Sequence, residues 1–270
     1  MTSPNAKPRF EDLTETTGIP LTPEAAVMMY TRYHVAAGLA GGRRVLELGC
    51  GAGQGFGLIG REAKSLVGGD FSNALLRLGR RNYGARVPLV RLSGDQLPLK
   101  PRSFDLVLFF EATYYVPNME NAFDEIARVL APGGIVLFVN ANPERKDFVR
   151  SPHSVRYHTA TEFRDALERR GFTVTTEGAF AVEASAEGLG AHLVGVAVST
   201  ARRVLQALGL VPSTLRGRAR LKRILYGRSL RPVPAELPAG FAPVATRSVV
   251  PAGPIRGFKV IYVRATRAAP

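Results

Sequence analysis

A chain of 270 residues, 46% hydrophobic, is long enough to bury a sizeable core in one large domain with an inserted segment. No run of 18 or more uncharged apolar residues and no apolar signal region in the polar start are present, and the single cysteine, Cys50, excludes an internal disulfide; a cytoplasmic, non-spanning protein is expected. The net charge of +14 is uneven: residues 1–200 hold 22 basic and 21 acidic side chains, residues 201–270 hold 14 basic and one acidic, Glu236.

Residues 1–22 read as loose, and Pro23-Glu24 then opens a helix through Tyr30, Tyr33 and His34 that ends near Gly41-Gly42. Residues 44–48 form a buried strand, 54–63 a helix and 65–69 a second strand, after which Ser72 caps a helix through Leu75, Leu76 and Leu78. A third strand is expected at 88–92 and a fourth, apolar enough to be central, at 104–110. An amphipathic helix over 120–130 stops at Ala131-Pro132-Gly133-Gly134, before a fifth strand at 135–140. Beyond a loop over 141–158, Thr159 caps a helix to Arg170, and Gly171-Phe172 leads into a strand through Val174. The last apolar strand is 258–263. Strands alternating with helices imply an α/β fold with a parallel sheet covered on both faces.

The expected organisation is a lid over 1–42, a core over 43–182 plus 258–265, and a basic helical insertion over 183–257. In the insertion, Leu193, Ala197, Ala201, Val204, Leu205 and Leu208 share one helical face, opposite Ser199, Arg202, Arg203 and Gln206. A second basic segment carries Arg216, Arg218, Arg220, Lys222, Arg223 and Arg228. Such helices either pack on the parent domain or, through 201–231, rest on an anionic membrane at its inner face.

The chemistry concentrates at Glu47-Leu48-Gly49-Cys50-Gly51-Ala52-Gly53, where a strand ends in an acid and glycines stand at every second position. Gly49, Gly51 and Gly53 allow tight turning and close ligand approach. A dinucleotide loop needs Gly-x-Gly-x-x-Gly, and no register supplies it: the sixth position is Gln54 from Gly49 and Phe56 from Gly51. Glu47 suits a cationic ligand, and Cys50 reads as a small packing residue in the loop. Asp70, 21 residues after Gly49, ends the second strand, where a carboxylate can accept both ribose hydroxyls, and Phe71 beside it can wall an adenine.

With Gly94-Asp95-Gln96-Leu97-Pro98, Phe104-Asp105-x-Val107 and Arg128-Val129-Leu130-x-Pro132-Gly133-Gly134 in order, the chain resembles class I S-adenosylmethionine-dependent methyltransferases. The spacing is similar to that of small-molecule enzymes such as the ubiquinone/menaquinone C-methyltransferases. The resemblance covers about residues 44–182 and the last strand. It implies a Rossmann-like seven-stranded sheet in the order 3-2-1-4-5-7-6, with S-adenosylmethionine at the carboxyl ends of the strands and S-adenosylhomocysteine as product. The implied cofactor residues are Glu47, Gly49, Cys50, Gly51, Gly53, Asp70, Phe71, Asp95, Gln96 and Leu97, with Asp95 at the adenine amino group and Tyr30 covering from the lid. Arg32 is a candidate for the cofactor carboxylate. The long insertion departs from the family pattern.

Methyl transfer is an in-line displacement at an activated sulfonium, so positioning and exclusion of water carry much of it, and a base is needed only when the acceptor must lose a proton. Glu111, directly after the fourth strand, is the candidate base or stabiliser of a developing cation; hydrogen bonding to the backbone or to the cofactor's amino group is the other reading. Its stretch, 111–117, is faintly similar to the acidic motif of sterol C-methyltransferases. Tyr114 and Tyr115 offer aromatic faces to a sulfonium or an apolar acceptor. His153, Tyr157 and His158 lie on the loop after the fifth strand, another usual wall of the acceptor pocket, whereas His192 reads as structural. No paired Cys/His spacing points to a metal. The expected acceptor is a small apolar, lipid-like or natural-product molecule; the alternatives are an RNA methyltransferase using the insertion and a non-catalytic cofactor-binding protein. Nucleic acid is disfavoured: residues 111–114 are not Asn/Asp-Pro-Pro-aromatic, and Cys50, in the cofactor loop, is the sole cysteine for attack on a base.

Overall fold

Residues 17–151, 154–182, 231–238, 247–248 and 255–269 are described by a computed structural model of the chain. The strands are β1 (Pro20–Leu21), β2 (Arg44–Leu48), β3 (Ser65–Asp70), β4 (Leu89–Arg91), β5 (Phe104–Phe110), β6 (Leu130–Ala141), β7 (Phe172–Ala181), β8 (Arg231–Pro232), β9 (Arg247–Ser248) and β10 (Phe258–Arg267). The main sheet runs β4-β3-β2-β5-β6-β10-β7-β9. Without the short edge strand β9 this is the 3-2-1-4-5-7-6 order of a class I methyltransferase. β4, β3, β2, β5 and β6 pair in parallel, whereas β10 runs antiparallel between β6 and β7.

Helices cover both faces because the central strands are apolar on both. On one side α4 (Met119–Val129) and α5 (Ala160–Glu168) bury Phe123, Ile126 and Phe163 against Phe138 and Ile261. The rings of Phe138 and Phe163 lie 4.9 Å apart, and both residues are fully buried. Truncating such a phenylalanine to alanine costs about 3–5 kcal/mol. On the other side α1 (Pro23–Ala40), α2 (Phe56–Glu62) and α3 (Asn73–Tyr83) bury Met29, Ala36, Phe56, Ile59 and Leu76. Local signals set the ends. Thr22, Ser72 and Asn118 cap α1, α3 and α4 through side-chain oxygens, and Thr159 with Glu162 forms a reciprocal capping box on α5.

Several boundaries differ from the sequence-based expectation. α2 starts at Phe56 rather than 54, because residues 53–55 are still turning out of the loop. β7 continues past Val174 to Ala181, and β10 past Val263 to Arg267, since the two strands pair over nine positions. Their polar residues alternate outward, which an apolar run does not reveal. β6 begins at Leu130, which pairs with Phe104 before a register shift at the Pro-Gly-Gly turn.

Of the expected insertion, residues 231–238, 247–248 and 255–257 are described; the amphipathic stretch 193–208 and the basic stretch 216–228 lie outside the described residues. Residues 231–238 cross back over the amino-terminal part of the chain. β8 pairs antiparallel with β1, and Val233 and Leu237 are buried in the core beneath α1 and α2. No described helix is long and apolar enough to cross a membrane.

Candidate active site

β2 delivers the chain to Gly49, where φ turns to 65°, and Gly51 follows at 58°; both lie in the left-handed region that glycine enters at no steric cost. A Cβ on Gly49 would stand 2.5 Å from Ala112, so the loops after β2 and β5 touch because glycine is there. Gly53 is also left-handed, with the Phe56 ring 2.5 Å from where its Cβ would be. At Gly55 the reason is space alone: the Tyr33 ring fills the position of its missing side chain.

These turns leave a cleft of about 330 Å³ at the carboxyl ends of β2, β3 and β5. One wall is Gly49, Cys50, Gly51, Asp70 and Phe71. Glu111, Ala112, Tyr114 and Tyr115 line the same cleft, and Arg32 and Tyr33 reach it from α1. Asp70 is already fixed: its carboxylate accepts from the Gly51 and Ser72 amides, each at 2.8 Å. Burial raises its pKa above the ordinary carboxylate range, and those amides pull it back. A carboxylate has about four lone-pair directions, so the amides of Gly51, Phe71 and Ser72 leave room for a hydroxyl donor. Phe71 is 54% exposed, with the Arg91 guanidinium 5.4 Å from its ring. It is thus a flat apolar surface at the cleft mouth.

Glu111 takes φ 48°, a strained conformation for a side-chain-bearing residue. Its amide donates to the Val139 carbonyl at 2.8 Å, and its Oε2 accepts from the Tyr114 hydroxyl at 3.1 Å. Tyr114 is stacked on Tyr157, with centroids 4.2 Å apart at 18°, and meets Tyr115 edge-on at 4.6 Å. The Tyr115 and Ser151 hydroxyls bond at 2.5 Å, and the Ser151 amide donates to the Tyr157 hydroxyl at 3.1 Å. Burial, reinforced by the Glu111 charge, pushes the Tyr114 phenol well above its usual pKa and the Tyr157 phenol up to about 12, so both stay protonated donors.

Not every expected residue faces the cleft. Tyr30 does not: it packs against the core on the α1 side, while Arg32 and Tyr33, rotated round the helix, line the cleft. Glu47 is 1% exposed and turned away from the cleft, with its Oε1 accepting from the Tyr33 hydroxyl at 2.8 Å. Burial raises its pKa to about 7, against the pull of Tyr33 and Arg32. Cys50 lines the loop, but its thiol is buried and pushed well above its usual pKa, which suits packing and not nucleophilic chemistry.

Asp95, Gln96 and Leu97 border a neighbouring shallow depression; Ser93 and Gly94 of that turn face the cleft itself. Asp95 is held at 2.5 Å by the Ser93 hydroxyl. The turn is fixed from behind by Arg128, whose guanidinium grips both oxygens of Glu125 and donates to the carbonyls of Leu97 and Leu99, each at 2.8 Å. Tyr157 does not line the cleft; it backs Tyr114. His153 lies outside the described residues. His158 is packed against Phe123 and Phe163, and burial lowers its pKa. Gln54, 4% exposed and lining the cleft, was not singled out in the sequence; its position directly after the third glycine was the available signal.

Residues 46–138 match the family described as "Methyltransferase domain". The fatty-acid O-methyltransferase of Mycolicibacterium smegmatis is 34% identical over 133 residues, 47% of this chain and 48% of that protein. The phthiotriol/phenolphthiotriol dimycocerosates methyltransferase 1 of Mycobacterium ulcerans is 33% identical over 123 residues, 44% of this chain and 45% of that protein. The chain thus spans about half the length of the curated relatives it matches. A solved S-adenosylmethionine dependent methyltransferase from Mesorhizobium loti shares the fold, with a TM-score of 0.51 and 18% identity over 89% of this chain and 98% of that one. Residues 46–138 thus match a methyltransferase domain, and the sheet order is the one found in class I S-adenosylmethionine-dependent methyltransferases.

Proposed function

We propose that the chain transfers a methyl group from S-adenosylmethionine to a lipid-like acceptor. The observation that carries this reading is that Asp70 and the glycines line one cleft together with Glu111, Tyr114 and Tyr115. S-adenosylmethionine supplies a methyl group on a positively charged sulfur, a good electrophile. Gly49 and Gly51 admit it to bare backbone, Asp70 offers acceptors to ribose hydroxyls, and Phe71 offers a face to the adenine. Arg32 stands where it can meet a carboxylate.

The acceptor stands against Phe109, Phe110, Tyr114 and Tyr115, a wall suited to an apolar body. In O-methylation of a hydroxyl, the acceptor oxygen forms a bond to the methyl carbon, the carbon–sulfur bond breaks with its electron pair going to sulfur, and Glu111 takes the hydroxyl proton. Tyr114, donating to Glu111, fixes that carboxylate's orientation. The relatives named above act on a fatty acid and on phthiotriol lipids by name, which supports a lipid-like acceptor here. The basic stretch 201–231 fits this as a peripheral contact with anionic membrane at the cytoplasmic face, a reading that rests on sequence charge.

The test is transfer of labelled methyl from S-adenosylmethionine to a panel of long-chain fatty acids, long-chain diols and alkyl phenols. Product with one of these and none with short polar analogues is expected. Binding of S-adenosylhomocysteine with no methylated product from any of them sinks the lipid assignment. Vesicle co-sedimentation that rises with anionic lipid content, and falls when Arg216, Arg218, Arg220 and Arg223 are reversed, is expected of the membrane contact.

A further inference from the structure

Residues 236–237 of the strap over 231–238 meet the chain that follows the glycine loop. The Leu237 amide donates to the Gln54 carbonyl at 3.0 Å, and Leu237 is 1% exposed. The Glu236 carboxylate occupies the position that a Cβ on Gly57 would need. The same carboxylate is close enough to the Tyr83 phenol to raise its pKa, after burial the largest cause. The strap is tied at its other end, where Val233 exchanges backbone hydrogen bonds with Gly18 and Ile19, each at 2.9 Å. Between Gly53 and Gly57 three of five residues are glycine, and glycine loses the most conformational freedom on ordering. Within this loop Gln54 faces the cleft. A turn so poor in side chains takes its conformation from its neighbours: the Tyr33 ring at Gly55, the Phe56 ring at Gly53, and the strap over 231–238, which adds a main-chain bond at Gln54 and a packed side chain.

We infer that Leu237 and Glu236 are positioning residues for the cofactor site, holding the turn over 53–55 and the start of α2 in binding geometry. The inference rests on the cofactor reading of the cleft given above. If the loop spends about a tenth of its time competent once released, affinity falls about tenfold.

The experiment is calorimetric titration of the full chain with S-adenosylhomocysteine, alongside thermal melts. Leu237→Ala is expected to weaken binding about tenfold and Leu237→Met to restore most of it. Val233→Ala is the control: Val233 is buried in the same core and bonds to the amino-terminal segment, not to the loop. It is expected to lower the melting temperature while leaving affinity within about twofold. Should Leu237→Ala not fold, Gly57→Ala and Glu236→Ala serve: each weakens binding, and the double variant is no weaker than the worse single one. Equal weakening by Val233→Ala and Leu237→Ala, or unchanged affinity in all variants, overturns the inference. A wild-type chain that binds no S-adenosylhomocysteine sinks the cofactor reading and the strap's role with it.

Discussion

The Tyr33 hydroxyl donates to Glu47 Oε1 at 2.8 Å, joining α1 to the strand that carries the glycine loop. The other oxygen, Oε2, is buried with no hydrogen-bond partner among the described residues. A carboxylate half-satisfied in this way prefers to hold a proton, and burial raises its pKa to about 7. In the unfolded chain the value is about 4.3. Between those two values the folded state keeps a proton that the unfolded state has lost. Stability is therefore greatest at the acid end of that window, falls as pH rises to about 7 and levels off above it, by up to about 4 kcal/mol in all. Glu47→Gln removes this slope. Urea midpoints at pH 5, 6, 7 and 8 check it, and parallel profiles for the two proteins would rule the origin out.

Asp70→Asn tests the ribose assignment. The substitution keeps the shape but loses the charge and one acceptor, at a site where the remaining acceptor must still serve the Gly51 and Ser72 amides. Loss of two charge-assisted bonds to a ligand is worth roughly 2–3 kcal/mol, or about 30- to 160-fold in affinity for S-adenosylhomocysteine. Unchanged affinity measured by calorimetry would remove Asp70 from the binding site.

Glu111 separates stability from activity. Its left-handed backbone costs about 1 kcal/mol for a side-chain-bearing residue, so Glu111→Gly is expected to hold or raise the melting temperature while abolishing turnover. Glu111→Gln keeps the strain, leaves S-adenosylhomocysteine affinity nearly intact and lowers kcat. Equal turnover in Glu111→Gln would take this residue out of the chemistry.

Tyr157→Ala removes the ring stacked behind Tyr114 and the acceptor of the Ser151 amide. Acceptor KM is expected to rise several-fold with S-adenosylhomocysteine affinity unchanged, because only the Tyr114 part of the cleft loosens. Tyr157→Phe keeps the stack and recovers most of the loss. A change in cofactor affinity instead of KM would contradict this division of the cleft.

Arg128→Lys is not conservative here. One ammonium cannot reproduce a fork that spans Glu125 and two carbonyls. The side chain is one-third exposed, so the stability cost is about 1–2 kcal/mol. The turn over 93–97 loosens with it, and a weaker cofactor affinity in isothermal titration is the expected signature.

The glycine loop, Asp70 and the strand order were legible because each depends on neighbours in sequence: an apolar run, a turn that only glycine takes, an acid at a strand end. What escaped depends on rotation and distance. Tyr30 and Tyr33 look alike in a helical pattern, and only packing against Gly55 tells which of them turns inward. Glu47 reads as a ligand acid in sequence, and nothing there reveals that the Tyr33 hydroxyl donates to its Oε1. Leu237 carries no motif at all; its partner Gln54 lies at the far end of the chain. Strands that alternate polar and apolar residues, such as β7 and β10, were cut short for the same reason: their length is set by each other.

The place of β10 has a consequence for how the protein comes into being. Phe258–Arg267 is synthesised after β6 and β7, yet it sits between them in the sheet, hydrogen-bonded to β6 on one side and β7 on the other. Until it emerges, both neighbours present open edges and the apolar face that Ile261 and Val263 will cover. A nascent chain in that condition is a template for pairing with other chains, and the slow, non-local closure invites a chaperone's protection during synthesis.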